Sequence, residues 1–278
     1  MAPIIIGIHG LSNKPPAETL KQGWEMAILE GLQKNTGTPL NPDDLSFASV
    51  YWADVMYDQP DDHAELYHPA LPGTLRRYRD GWWDQFRAWA SGSIDDVIDR
   101  WRQEYGIDEV AGKVLRLKLR DLSRYYEDPQ IKSQLQARLS DQILEHGNRP
   151  TIVVAHSMGS IIAYDVLHQL QNNPSIAIDH FITIGSPLGL PYVKAKAIEF
   201  NDGPPRTPKN VKAWVNFADR RDPVSIDTHL ADDYGPNQRG IRVKDDLVLN
   251  DWGAIHHKSY GYLRTPEFSG YLKNCLDR

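Results

Sequence analysis

The chain is poor in cysteine, in long apolar runs and in concentrated positive charge, and each absence excludes a class of structure or function. A single cysteine, Cys275, excludes an internal disulfide and fits a reducing compartment, so a cytoplasmic location is expected. No apolar run approaches the roughly 20 residues of a membrane-spanning helix, and no transmembrane segment is expected. The formal net charge of −6, without a basic block, argues against a nucleic-acid surface.

Signatures of cofactors, metals and export are also missing. The sequence has no glycine-rich phosphate loop and no dinucleotide fingerprint, so no cofactor is expected. His63 and His68 lie among acidic residues, but their spacing places them poorly on one helix face, and no His-Glu-x-x-His pattern occurs. We therefore expect a solvated loop and no metal site. The residues before Ile4 carry no basic region, so no signal sequence is expected.

The most informative stretch that is present places a serine between small residues after a β-branched run, Thr151-Ile-Val-Val-Ala-His-Ser-Met-Gly-Ser160. It predicts a strand, a sharp turn with Ser157 at the apex, and a helix. Ala155, where glycine is more usual, and Gly159 are small enough for such a turn. The turn would lift the hydroxyl clear of the sheet and point the Met158 N–H toward a developing oxyanion. An ordinary turn with a capping serine is the alternative.

A second motif lies in the loop after the first predicted strand. Ile4 to Ile8 is followed by His9-Gly10 and then by Leu11. Gly10 would let the loop turn so that a backbone N–H, that of Leu11, faces the nucleophile as a second oxyanion donor. His9 is expected to end a buried strand and to hold this loop by a hydrogen bond.

Candidates for a general base and its acidic partner follow later in the chain. Asp222 lies in the loop after a predicted strand and is preferred as the acid, with Asp219 as the alternative. A histidine must reach both the serine and the acid. His257 is preferred and His256 stays open, whereas His229, which precedes the last predicted strand, is disfavoured. The side chain of His156 is expected to point away from the site.

The order Ser157, Asp222, His257 resembles that of the α/β-hydrolase superfamily, in particular its serine esterases and lipases. The segment Gly185-Ser186-Pro187-Leu188-Gly189 is similar to a loop of lipase-like members, with Ser186 as a turn residue. The similarity covers 1–50 and 130–275. It implies a carboxylic ester hydrolase that acts on a lipid or smaller ester through an acyl-enzyme.

Two other functions stay open. The same residues could transfer the acyl group to an alcohol or amine, or open a thioester or amide. The fold could also serve a non-catalytic interaction protein. Catalysis by these residues requires an accessible hydroxyl at position 157 and an imidazole within about 6 Å of it.

Alternating strands and helices predict one α/β domain over 1–278, with a mostly parallel sheet and its site at the carboxyl ends of the strands. The sheet is expected to lack the two leading strands of larger relatives. Strands are predicted near 4–8, 45–51, 151–156, 178–184, 211–217 and 241–249. Helices are predicted after Pro15-Pro16 and from Asp128-Pro129 to Gly147.

The segment 53–127 fits none of these units and is interpreted as a mainly helical cap over the serine. Its aromatic residues would line an acyl pocket or pack the insertion onto the body, and a further helix is predicted from about Asp108. The aromatic residues are Trp82, Trp83, Phe86 and Trp89.

Overall fold

A computed structural model describes residues 1–38, 41, 44–79, 120–225, 227–253 and 256–277. Strands and helices alternate along the chain. In order they are β1 (Ile4–Ile8), α1 (Ala17–Thr36), β2 (Phe47–Val50), α2 (Ala53–Met56), α3 (Pro129–His146), β3 (Thr151–His156), α4 (Met158–Leu170), β4 (His180–Ile184), α5 (Pro191–Asn201), β5 (Trp214–Ala218), β6 (Val243–Leu247), α6 (Ser259–Leu263) and α7 (Pro266–Leu276).

The six strands form one sheet in the order β2-β1-β3-β4-β5-β6, and every neighbouring pair is parallel. β1 and β3, which precede the two predicted oxyanion donors, are adjacent, with Ile8 opposite Ala155. The loops after them therefore meet at the same edge of the sheet. Within the described residues no antiparallel leading strand accompanies the sheet, and the prediction of an α/β-hydrolase fold is confirmed.

The helix before the nucleophile strand begins where its capping signals predict. The carboxylate of Asp128 accepts hydrogen bonds from the N–H groups of Gln130 and Ile131, and Pro129 occupies the first turn, where its missing N–H costs nothing. Leu135, Leu139 and Ile143 form the buried stripe of α3. The predicted helix is confirmed.

Both faces of the sheet are covered by apolar packing. One cluster includes α3 and α4, and the other includes α1, α6 and α7. The inner strands β1 and β3 are buried on both sides, which explains their apolar, largely β-branched sequences. None of the helices in the described ranges is long and apolar enough to cross a bilayer.

Only the two ends of the 53–127 insertion are described. The segment 57–79, here called the strap, has no long regular element, and 120–127 is helical. The aromatic group Trp82 to Trp89 and the helix predicted from Asp108 lie outside the described residues. The cap interpretation therefore stays a prediction.

Candidate active site

Ser157 occupies a strained turn between β3 and α4. Its φ of 52° and ψ of −129° are unusual for a residue with a side chain. The turn presses the start of α4 against the end of β1. A Cβ added at Gly159 would lie 2.6 Å from the carbonyl oxygen of His9, so only glycine fits there.

Three polar side chains meet at this turn in one chain of hydrogen bonds. His257 Nε2 lies 3.0 Å from Ser157 Oγ, and His257 Nδ1 lies 2.7 Å from Asp222 Oδ2. An ionised carboxylate only accepts hydrogen bonds, so Nδ1 carries the proton and Nε2 presents a lone pair to the serine hydroxyl. The arrangement can draw the proton from Ser157 while the carboxylate stabilises the resulting imidazolium.

The alternative acid and base candidates have other partners. Asp219 accepts hydrogen bonds from the Arg221 guanidinium and, at 2.6 Å, from the backbone N–H of Asn250. His256 is turned onto the carbonyl oxygen of Asn250, 2.8 Å from its Nδ1, and has a φ of 49°. Both residues brace the loop that carries His257 rather than contacting Ser157.

Two further candidates lie in turns. His229 Nδ1 is 2.9 Å from the hydroxyl of the neighbouring Thr228. Ser186 accepts a hydrogen bond from the Leu188 N–H and pairs with the hydroxyl of Ser160 at 2.7 Å. Ser186 is thus a turn residue that contacts the first turn of α4, next to Ser157.

His9 fixes the direction of the peptide that follows Gly10. The N–H of Trp52 donates to His9 Nε2 at 3.0 Å, so the proton of this imidazole lies on Nδ1 and is donated to the Gly10 carbonyl at 2.9 Å. Burial lowers the pKa of His9 well below its usual value and keeps it neutral. Because a trans peptide is planar, a Gly10 carbonyl held on one side turns the Leu11 N–H to the other.

The Leu11 and Met158 amides lie near the serine. A Cβ added at Gly10 would lie 2.5 Å from Ser157 Cβ, so the loop touches the turn, and Met158 is the first residue of α4. Among the described residues neither amide donates to a protein acceptor. An unpaired donor at the start of a helix, together with one in the touching loop, can stabilise an oxyanion.

The same loop is held by charged groups that sequence reasoning missed. The Lys14 ammonium bonds the carbonyl oxygens of Leu11 and Ser12 and lies 3.5 Å from that of Asn13. The Asp121 carboxylate, from the far end of the insertion, accepts the Ser12 N–H at 3.2 Å and the Tyr57 hydroxyl. The insertion is thereby joined to the loop beside the serine. No motif in the sequence signals the contacts of Asp121, because they join distant segments.

The expectation that the turn exposes the serine is wrong for this conformation. Ser157 has 0% of its surface exposed, and His257 and Asp222 have 3% and 2%. The close approach of the loop at Gly10 accounts for part of this cover. The accessibility of the Ser157 hydroxyl that catalysis requires is therefore not met in this conformation.

The expectation that His156 points away from the site is also wrong. Its ring lies 4.8 Å from that of His257, and its Nε2 is 2.7 Å from the carbonyl oxygen of His257. The strand position before the serine thus fixes the backbone of the candidate base.

One acidic cluster within the described ranges has the geometry to hold a cation. Asp227, Asp232 and Asp233 have oxygens within 4.8 Å of one another. Lys194 already lies 2.8 Å from Asp233 and 3.8 Å from Asp227, so the negative charge is partly neutralised. Burial, with the neighbouring Asp233, raises the pKa of Asp227 to about 6. His63 and His68 do not form part of this cluster.

Comparison with known proteins gives one match. The family model described as lecithin:cholesterol acyltransferase matches residues 115–198, less than a third of the chain. The matched segment includes Ser157 and excludes Asp222 and His257. No curated protein matches the chain.

Proposed function

We propose that the chain is a lipid-acting hydrolase or acyltransferase of α/β-hydrolase type that forms an acyl-enzyme on Ser157. The observation that carries the proposal is the unbroken series of hydrogen bonds from Asp222 through His257 to Ser157. These residues come from three separate loops at the carboxyl edge of the sheet, and packing alone would not require a buried hydroxyl, imidazole and carboxylate in this order.

The first half of the reaction acylates the serine. His257 Nε2 takes the hydroxyl proton as Oγ attacks the ester carbonyl, and Asp222 stabilises the imidazolium. The N–H groups of Leu11 and Met158 stabilise the tetrahedral oxyanion; removal of one such donor typically costs about 2.7–4 kcal/mol. The imidazolium then protonates the leaving alcohol, which departs with the proton.

The second half depends on the acceptor. Water, deprotonated by His257, releases a carboxylic acid, whereas a second alcohol gives a new ester. The matched family is named as an acyltransferase for a phospholipid and a sterol, which favours transfer as a candidate beside hydrolysis. The reaction needs no cofactor, since the attacking group and the proton carrier are side chains.

We further propose that the 53–127 insertion caps the serine. Support comes from its described ends: the Tyr57 hydroxyl donates to the Asp121 carboxylate, which also accepts the Ser12 N–H. Ser12 belongs to the loop 9–14 that carries Leu11, here called the oxyanion loop. A cover joined to this loop would exclude water from the acyl-enzyme. Such a cap explains why the serine is buried in this conformation.

A screen of p-nitrophenyl esters of graded acyl length tests the function, with alcohols added to detect transfer products by mass spectrometry. We expect turnover in the wild type and at least about a 10⁴-fold loss in Ser157→Ala, in line with nucleophile removal in triad enzymes. Ser269→Ala is the matched control, because Ser269 is also buried, with its hydroxyl on the Thr265 carbonyl. Undiminished turnover in Ser157→Ala would refute the proposal.

A further inference from the structure

Tyr262 contacts the carboxylate of the proposed triad at the same oxygen as the imidazole. Tyr262 lies in α6, five positions after His257, and has 0% of its surface exposed. The phenol oxygen lies 2.7 Å from Asp222 Oδ2, the same oxygen that His257 Nδ1 approaches at 2.7 Å.

The directions of the hydrogen bonds follow from the donors present. The backbone N–H of Asp219 donates to the Tyr262 oxygen at 3.1 Å, so the single phenol proton is free for the carboxylate. The Val224 N–H donates to the other carboxylate oxygen at 2.8 Å. Asp222 therefore accepts from an imidazole, a phenol and an amide, and its orientation is fixed by all three.

A glycine makes room for the contact between phenol and carboxylate. Gly185 follows β4 with a φ of 54°, and an added Cβ would lie 2.9 Å both from Asp222 Oδ2 and from the Tyr262 ring. Burial, reinforced by the charge of Asp222, raises the pKa of Tyr262 well above its usual value. The phenol thus keeps its proton at neutral pH and remains a donor.

We propose that Tyr262 is a positioning residue for Asp222: its phenol holds the carboxylate toward His257 and takes up part of its negative charge. The inference rests on the proposed function. A hydrogen bond to the shared oxygen limits how strongly Asp222 attracts the imidazolium, and so tunes the imidazole as a base. Without the phenol, the imidazolium would keep its proton to higher pH.

Within the described residues, His156 and Asp219 are further titratable groups near this imidazole. His156 lies 4.8 Å away, ring to ring, and Asp219 is paired with Arg221 on the far side of the Tyr262 hydroxyl. Removing only the phenol oxygen takes the acceptor from the Asp219 N–H, which does not titrate, and leaves the two titratable side chains with their partners. A change in the pH profile is therefore attributable to the bond with Asp222.

The test compares Tyr262→Phe with Tyr164→Phe. The control phenol is also buried, donates to the Arg206 carbonyl at 3.0 Å and accepts the Arg206 N–H at 3.2 Å. For Tyr262→Phe we expect kcat to fall about tenfold and the acid limb of kcat/KM against pH to move up by about half a unit. Tyr164→Phe lowers the melting temperature and leaves the limb in place.

A double-mutant cycle with Asp222→Asn separates positioning from packing. If Tyr262 acts through the carboxylate, Tyr262→Phe costs little further activity in the Asp222→Asn background. An equal loss in both backgrounds, or an unmoved acid limb, overturns the inference. Ser157→Ala is assayed alongside: activity retained there would refute the proposed function, whereas its loss with an unchanged Tyr262→Phe profile refutes only the role of Tyr262.

Discussion

Glycine at position 10 determines how closely the oxyanion loop approaches the serine. Any larger residue would place its Cβ 2.5 Å from Ser157 Cβ and 2.8 Å from His156 Nδ1. Both neighbours are buried, so the loop itself must move. The Leu11 N–H would then leave its place beside the serine.

We predict that Gly10→Ala lowers kcat by about 10²–10³-fold, the loss typical of one oxyanion donor. Gly270→Ala is the control, since its added Cβ meets nothing closer than 3.8 Å and alanine favours the helix. Steady-state kinetics on one ester measure kcat for both variants and the wild type. Wild-type kcat in folded Gly10→Ala would show that the loop donates nothing.

At the residue scale, local sequence pattern predicts some features of the candidate site and not others. The motif around Ser157 and the loop position of Asp222 can be read from local pattern. Local pattern does not decide between the neighbours His256 and His257, because they differ in their tertiary partners. His256 contacts the Asn250 carbonyl, whereas His257 contacts the Asp222 carboxylate. Tyr262 belongs to no motif, since its partner is forty positions away. The catalytic roles themselves stay predictions.

Among the elements, the strap ties the insertion to the loop that carries the candidate base. Arg264, whose side chain is 2% exposed, makes a bidentate ion pair with Asp251 and donates to the His68 carbonyl at 2.9 Å. The His68 ring stacks on Trp252 at 4.0 Å. Glu30 on α1 lies 3.4 Å from the same guanidinium. One buried cation thus joins the strap, α1 and the loop before α6.

We predict that Arg264→Met lowers the free energy of unfolding by about 3–5 kcal/mol, because the carboxylate of Asp251 stays buried without its cation, whereas Glu30 keeps its pair with Lys34. Urea denaturation measures the change. Arg138→Met provides the comparison, since its pair with Asp54 is half exposed and should contribute about 1 kcal/mol or less. Equal effects of the two substitutions would contradict the role given to Arg264.

The strands were predicted in the correct places; β1 and β3 have the predicted ends, and the other four strands were predicted too long. The run predicted at 178–184 forms regular β4 only from His180, because Ile178 makes just an isolated bridge with Val211. Likewise the strand predicted over 45–51 pairs with β1 only over Phe47–Val50. Apolar pattern reports burial, whereas strand ends depend on where a neighbouring strand stops pairing.

At the scale of the whole molecule, buried neutral histidines make stability depend on pH. Burial lowers the pKa of His168 to about 4, and its Nδ1 has no hydrogen-bond partner within the described part of the chain. The unfolded chain takes up this proton near pH 6.5, as an ordinary histidine does. Between these values the unfolded state binds more protons. The contribution of His168 is therefore complete above about pH 6.5 and is lost as pH falls toward 4.

We predict that this loss amounts to about 2 kcal/mol between pH 7 and 4.5. His9, whose pKa is also lowered, acts in the same direction, whereas the raised pKa of Asp227 acts in the opposite one. In His168→Gln the difference in unfolding free energy between the two pH values should shrink by that amount, and in the exposed His63→Gln it should not. An unchanged difference in His168→Gln would contradict the prediction.

The parallel sheet and its helices follow from the sequence because each element carries its own periodic signal. The arrangement of the insertion does not, since Asp121 and Tyr57 reach the oxyanion loop only through tertiary contacts. A cytoplasmic location, the natural substrate and the choice between hydrolysis and transfer also depend on more than pattern, because fold does not fix function.

The most direct test of the central claim is to map covalent labelling by a small fluorophosphonate with intact-protein and peptide mass spectrometry. An activated serine reacts through its deprotonated oxygen, so we expect one adduct per chain, on residue 157, absent in Ser157→Ala and strongly slowed in His257→Gln. No adduct on the wild-type chain, or undiminished labelling of Ser157→Ala, would contradict a nucleophilic Ser157.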